Sequence, residues 1–315
     1  MFVQEMEYNM KFVKNSFKII ITIIIIIYFF EIFISYKLNK NKYCEFSKIY
    51  GNQDGYVPQG LAYSQKYEII LQTSYNKKKD VSMLYVINSK TGTLERKFKL
   101  LKNDGTKNYN HVGGITTDDN KVWITSDYEI NEFNLEEIIK LDDQYLKSIN
   151  DIKIHNRGDF CAYYDNILWI GEFFLNGVYN VKDNDPLLLG YNVENDLNYD
   201  IPDYIISIPK MVQGLAITPE KNFIFTRSYS GFLKSELVVY ENILNDEYDY
   251  YNFNGKMVRH FKFNSDKKIK ITKLPPMAEG LFLKDNFVYV LFESSADSYI
   301  IVYPKIDKII KIKIY

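Results

Sequence analysis

Glu279 and Glu293 are the side chains of this sequence best suited to chemistry, because a carboxylate set in an apolar, β-rich run is rarely buried unless something pairs with it. Two carboxylates plus amide oxygens make a donor set for a hard cation such as Ca²⁺, which takes about six to eight oxygen ligands. Gln59 and Gln213 carry amides that either contact a ligand or hydrogen-bond neighbouring elements together. His111 is a poor calcium ligand. Beside an ion it would act as acid or base, and it reads equally well as a structural histidine. Glu172 and Arg227 complete the set, with Arg227 expected to neutralise Glu172, Glu279 or Glu293, since clustered carboxylates need a cation. No recognisable nucleophile–base set accompanies them, so the residues do not decide between binding and catalysis.

A repeat is what would bring these residues together. Gln59-Gly60-Leu61-Ala62, Gly113-Gly114-Ile115-Thr116, Asp159-Phe160-Cys161-Ala162, Gln213-Gly214-Leu215-Ala216 and Glu279-Gly280-Leu281-Phe282 each open a turn and a β-rich run, at steps of 54, 46, 54 and 66 residues. A strand-like period near 50 residues predicts an all-β fold, a single β-propeller of four-stranded blades. Five blades are favoured. Six stay open, because Asn198 to Lys210 and the long fourth repeat have room for further strands. In such a fold the first strand of each blade lines the channel and the second returns antiparallel. The start of the first strand and the end of the second therefore share one face. That places Gln59 with Ser74 and Tyr75, His111 with Ser126 and Asp127, Asp159 with Glu172, Gln213 with Arg227 and Ser228, and Glu279 with Glu293 and Ser294 at one mouth. Convergent polar groups in a concavity are the expected ligand site.

The intervening stretches give the turns. Asp118-Asp119-Asn120, Asp165-Asn166 and Lys284-Asp285-Asn286 are the Asx-rich turns that hairpins need. Further strands are expected at Met83 to Ile87, Leu237 to Tyr240 and Tyr299 to Tyr303. Leu135 to Ile149 has apolar residues near a helical stripe, and Asn242 to Asn254 reads as a surface loop. Glu45 to Tyr50 and the alternating Ile and Lys of Ile306 to Tyr315 are expected to close the ring in the fifth blade. His155 and His260 fall in loops or outer strands and take no role. Arg157-Gly158-Asp159 spells an adhesion tripeptide that chance explains.

Ahead of the repeats, Ile19 to Phe30 has one weakly polar residue, Thr22, and after Glu31 the apolar run resumes as Ile32-Phe33-Ile34. As a helix, Ile19 to Ser35 spans about 26 Å, the short end of what crosses a bilayer. Lys11, Lys14 and Lys18 precede the run and favour a cytoplasmic N-terminus. The expected order is a cytoplasmic segment over 1–18, a transmembrane anchor over 19–36 in contact with the lipid bilayer, a linker over 37–43 and the propeller over 44–315, outside the cytoplasm. A cleaved signal peptide is the alternative, though Phe33-Ile34-Ser35-Tyr36-Lys37 offers a single small residue for cleavage.

Lys and Arg (39) nearly balance Asp and Glu (40), and no basic block stands outside the membrane flank, so nucleic acid is not an expected partner. Two cysteines, Cys44 and Cys161, with no CxxC exclude a structural zinc site by spacing. A Cys44–Cys161 disulfide is one pairing that an oxidising compartment would allow.

Ala278-Glu279-Gly280-Leu281 followed by Val288-Tyr289-Val290-Leu291-Phe292-Glu293 resembles a blade of extracytoplasmic bacterial propellers. His111 to Gly114 and Val212 to Ala216 are similar to blade starts of the same group. A looser likeness is to the lactonase (SMP-30/gluconolactonase) and strictosidine-synthase-like propellers, where a glutamate at a blade start helps hold a central cation, and Glu279 matches that glutamate. The resemblance covers about residues 56 to 303 and implies two functions. One is a membrane-anchored propeller that binds a small molecule or surface protein at its mouth. The other is a Ca²⁺-assisted hydrolase of lactones or esters, with Glu279 and Glu293 on the ion and His111 handling protons.

Overall fold

The computed structural model describes residues 2–39, 43–78, 80–142, 144–175, 185–194 and 199–314. Two compact units divide the chain, Met1–Asn41 and Lys42–Tyr315. The first is one helix, α1 (Phe2–Asn39). Its window Val13–Phe30 has a mean hydropathy of 1.9 and none of its side chains is buried, so by length and composition it is a candidate membrane anchor or signal sequence. The Thr22 hydroxyl bonds back to the Lys18 carbonyl at 2.9 Å and so carries no unsatisfied donor on the apolar surface.

The second unit is a five-bladed β-propeller. After β1 (Tyr43–Lys48), blade one is β2 (Tyr56–Ser64), β3 (Ile69–Asn76), β4 (Met83–Asn88) and β5 (Leu94–Leu101). Blade two begins with β6 (Gly114–Thr117), β7 (Lys121–Ser126) and β8 (Glu129–Asn134). A short helix α2 (Leu135–Lys140) follows, then β9 (Tyr145–Lys147), which adds parallel to the β5 edge of blade one, then β10 (Asn150–Lys153), which completes blade two. Blade three is β11 (Phe160–Tyr164), β12 (Ile167–Gly171), β13 (Leu187–Asn192) and β14 (Tyr204–Ser207). Blade four is β15 (Val212–Ile217), β16 (Phe223–Arg227) and β17 (Ser235–Tyr240). A hairpin of β18 (Asp249–Phe253) and β19 (Lys256–Lys262) then leaves it to pair with blade three before β20 (Lys268–Leu274) completes it. Blade five is β21 (Ala278–Lys284), β22 (Phe287–Phe292) and β23 (Lys308–Lys313), with β1 as its outermost strand.

Several expectations are corrected here. The helix expected over Leu135 to Ile149 stops at Lys140, because Tyr145–Lys147 finds a ladder along β5 that helix could not satisfy. Its N-terminus is capped as expected of Asn, Asn134 accepting from the Glu137 N–H at 3.0 Å. The loop expected over Asn242 to Asn254 ends in strand β18. Tyr299 to Tyr303 forms turns rather than a strand, and the third strand of blade five is the Ile/Lys-alternating β23. The room seen in Asn198 to Lys210 is filled by β14, so the count stays at five. Both thiols are free, Cys44 exposed on β1 and Cys161 buried in β11.

The blades pack through interdigitated aromatics. Phe160, Trp169, Phe223, Phe225, Phe261 and Phe263 form one buried cluster between blades three and four, and Trp169 meets Phe223 edge-to-face at 5.7 Å. The ring closes by non-covalent pairing of the two ends of the chain, Cys44 opposite Lys311 and Tyr43 opposite Ile312. Lys311→Cys should therefore form a disulfide with Cys44 under mild oxidation, since cross-strand partners lie within disulfide reach. Pinning so long a loop is expected to add about 2 kcal/mol, measured by urea denaturation of oxidised against reduced protein. No difference would mean that β1 does not stay on β23.

Candidate functional site

The mouth is built by irregularities in the inner strands. In β2 the register skips between Pro58 and Leu61, in β15 between Val212 and Gly214, and in β21 between Ala278 and Leu281. Each skip is a β-bulge, which gives a strand one extra residue and re-aims its side chains. The residues so displaced are Gln59, Gln213 and Glu279, each followed by Gly. Backbone strain accompanies them. Val112, Met211 and Met277, just ahead of or within the same motifs, hold φ at 48°, 69° and 64°. For a β-branched residue such as Val112 this is a genuine outlier, sustained only because the surroundings over-determine it. The Val112 N–H is fixed by Ser126 Oγ at 3.0 Å, and the Met277 carbonyl accepts from the Glu293 N–H at 3.1 Å.

At the centre stand Glu279, only 4% exposed, and Glu293. Burial and the neighbouring Glu293 hold Glu279 well above the usual carboxyl range, so Glu279 keeps its proton and donates it to Glu293. Glu293 is also raised by burial, but opposed by the hydrogen bonds it accepts: from Tyr299 Oη at 2.6 Å, from Glu279, and more weakly from Gln59 Nε2 at 3.4 Å. Gln213 Nε2 donates to Glu279 Oε1 at 3.1 Å. The result is a carboxylic acid hydrogen-bonded to a carboxylate, with an amide on each member.

Aromatic and basic groups surround the pair. Tyr75 and Tyr299 are both held far from ionising, by burial first and then by the nearby carboxylates. The Lys77 ammonium lies 3.8 Å from the centre of the Tyr299 ring and partly offsets the charge of Glu293. The His111 ring is 4.4 Å from that of Tyr75, and burial, against the pull of Asp127, brings its pKa down to about 4. His111 is therefore a neutral imidazole at physiological pH. Across the mouth, Asp159 is raised by burial despite an ion pair with Arg157 at 2.8 Å, and its other oxygen accepts the Phe173 N–H at 2.8 Å.

The structure thus gathers Gln59, Gln213, Glu279 and Glu293 into one hydrogen-bonded set, with His111 beside Tyr75 at its edge. Glu172 lies within the electrostatic reach of Asp159 and Arg157 rather than in that hydrogen-bonded set, its pKa raised by burial and its carboxylate accepting the Leu187 N–H at 3.3 Å. Arg227 does not neutralise any of the mouth carboxylates. It pairs with Glu236, directly opposite on β17, at 2.9 Å, and donates to the Lys210 carbonyl at 3.0 Å. A cross-strand partner one residue away is a shorter reach than the channel axis. Tyr299 and Lys77 escaped the sequence reading. Each sits in a loop whose path depends on distant contacts.

His111 gives a pH prediction. Between about pH 4 and 6.5 the unfolded chain binds a proton at this position that the folded chain does not, so stability falls as pH drops through that window. His111→Gln should be more stable than wild type by roughly 1–2 kcal/mol at pH 5 and no more stable at pH 7.5. Urea midpoints at the two pH values measure this, and an equal difference at both would show that His111 is not held neutral.

The opposite end of the channel holds a cavity of about 470 Å³, whose lining includes Leu61, Ile115, Cys161, Leu215 and Leu281. Leu61, Cys161, Leu215 and Leu281 follow Gln59, Asp159, Gln213 and Glu279 by two positions and Ile115 follows His111 by four, and together they form an apolar ring. Cys161 is no nucleophile there, since burial pushes its thiol up to about 12. Among the described residues no group of three or more His, Cys, Asp or Glu side chains is arranged to hold a metal ion.

No family model and no curated protein sequence matches the chain. Among solved structures, the PQQ-bound aldose sugar dehydrogenase of Streptomyces coelicolor superimposes with a TM-score of 0.51 at 13% identity, over 86% of this chain and 96% of that one. The glutaminyl cyclase of Myxococcus xanthus aligns with a TM-score of 0.47 at 7% identity, over 87% and 95% of the two chains. At such identities the first likeness speaks for the β-propeller fold alone.

Proposed function

We propose that the chain is a single-pass protein of the cell membrane, anchored through residues 19–36, whose propeller (44–315) stands outside the cytoplasm and binds a cationic ligand at the channel mouth. The observation that carries this is buried Glu279 hydrogen-bonded to half-buried Glu293, two carboxyls whose pKa values are both raised by burial. A cation that displaces the proton gains both carboxylates at once, in a site where burial strengthens the attraction. The mouth already holds one ammonium in this manner, Lys77 on the face of Tyr299 beside Glu293. A ligand amine would use the same aromatic faces and carboxylate oxygens. A metal ion fits in part. Glu279 and Glu293 would hold it, and Gln59 and Gln213 would add oxygens if their amides turned, leaving the remaining positions to ligand or solvent. Lys11, Lys14 and Lys18 ahead of the apolar run support the extracytoplasmic side, against Lys37, Lys40 and Lys42 after it.

Thermal unfolding of the full chain in detergent, with chelator, with Ca²⁺ and with ethylamine, tests the reading. Stabilisation by either cation supports it and says which kind is bound. No shift with any cation contradicts it. A second reading, Ca²⁺-assisted hydrolysis of a lactone or ester, rests on His111 being neutral and so able to accept a proton beside the pair. A bound ion would polarise the substrate carbonyl. Glu279→Gln losing turnover and ion together would favour that reading.

A further inference from the structure

The hairpin that blade four lends to blade three has an effect beyond sheet pairing. β19 lies parallel to β14 with Arg259 in register with Tyr204, and the Arg259 guanidinium rests over the Tyr204 ring at 4.5 Å from its centre. Both residues line a cavity of about 330 Å³ between the two blades, together with Trp169, Phe223, Leu244 and Asn245. Among the described residues Arg259 pairs with no carboxylate, whereas Lys221 in the same cavity is paired with Asp165 at 2.6 Å. The Arg259 guanidinium is thus half-buried on the Tyr204 ring with its charge left for a ligand or solvent to meet.

The chemistry of the lining defines the missing partner. Stacking on Tyr204 leaves the edges of the guanidinium free, and its fork of N–H donors matches a carboxylate bidentately. Trp169, Phe223 and Leu244 make the apolar part of the lining, with Trp169 set edge-to-face on Phe223. The Asn245 amide supplies a further polar contact, and the volume suits a small molecule. We propose that this cavity is a second binding site, separate from the mouth, for a small aromatic carboxylate whose acid pairs with Arg259 and whose ring lies against Trp169 and Phe223.

Isothermal titration of the full chain in detergent with phenylacetate and 3-phenylpropionate, and with 2-phenylethanol as the neutral analogue, tests this. At least one acid should bind saturably with a Kd of about 1 mM or tighter, and the alcohol about tenfold more weakly or not at all. Arg259→Gln should lose about tenfold in affinity or more, and Arg259→Lys, which keeps the charge without the fork, should fall between. Glu279→Gln should bind the acid as wild type does, since it alters only the mouth. The thermal midpoint of each unliganded variant reports whether it is folded, and Arg259→Lys carries the test if Arg259→Gln does not fold. Equal binding of alcohol and acid, unchanged affinity in a folded Arg259 variant, or no binding of either acid at about 10 mM would each overturn the proposal.

Discussion

Gly280→Ala should cost about 3 kcal/mol of stability, and Gly280→Val should not accumulate as folded protein. A Cβ at Gly280 would lie 2.6 Å from the Leu61 amide nitrogen and 2.7 Å from the Gln59 carbonyl oxygen, both backbone atoms of the adjoining blade. Backbone cannot swing away as a side-chain end can, so relief requires blades five and one to separate at the axis. That separation would break the contact on which the closed ring depends. Gly60 makes the internal comparison. Its nearest neighbours are the Thr73 hydroxyl at 2.7 Å and the Ile115 side chain at 2.8 Å, with backbone no closer than 3.0 Å. Gly60→Ala should therefore cost less, about 1–2 kcal/mol. Urea denaturation with an unchanged m-value measures both. A cost below about 1 kcal/mol at Gly280 would mean that the inner strands are looser than described.

Glu279→Gln is expected to lower the affinity for the bound cation by about 100-fold, close to the loss when one member of a buried charged set is removed. It should also change the pH dependence of stability in a defined direction. Both carboxyls have folded-state pKa values above the ordinary 4.5. The folded chain thus holds protons that the unfolded chain has released, and stability falls as pH rises from about 4.5 through the folded-state values. An amide at position 279 keeps the hydrogen bond to Glu293 without titrating. The variant should lose less stability between pH 5 and pH 8 than wild type, while binding the cation more weakly. Added cation should reverse the loss at pH 8 in wild type and not in the variant. A variant with wild-type pH dependence would show that the pair is not the proton-sharing unit described here.

Much of this fold was legible because the repeat is local. Gln-Gly, Gly-Gly and Glu-Gly before apolar residues mark the axis, Asx turns mark the hairpins, and the alternating Ile and Lys of β23 announce a strand with one wet face. The bringing together of Glu279 and Glu293 followed from hairpin geometry alone. What stayed hidden depends on partners distant in sequence. β18 reads as loop because the stretch around it is rich in Asn, Asp and Tyr, and it becomes strand by pairing with β19 on the edge of blade three, where Tyr251 and Phe253 are half-buried. Tyr145–Lys147 continues a helical pattern but is claimed by β5. Arg227 was assigned a partner by charge, whereas register set Glu236 opposite it. Tyr299 reaches Glu293 because the segment between β22 and β23 folds back over the mouth, a path no periodicity announces.

Calorimetric titration of the full chain with Ca²⁺ and with ethylamine, repeated in two buffers of different ionisation enthalpy, tests the central claim most directly, because it counts the protons released as the cation enters. At least one of the two should bind with release of about one proton at pH 7, and both binding and release should be lost in the Glu279→Gln, Glu293→Gln double variant. Binding that releases no proton, or that survives in the double variant, would contradict a mouth whose ligand replaces the proton shared by Glu279 and Glu293.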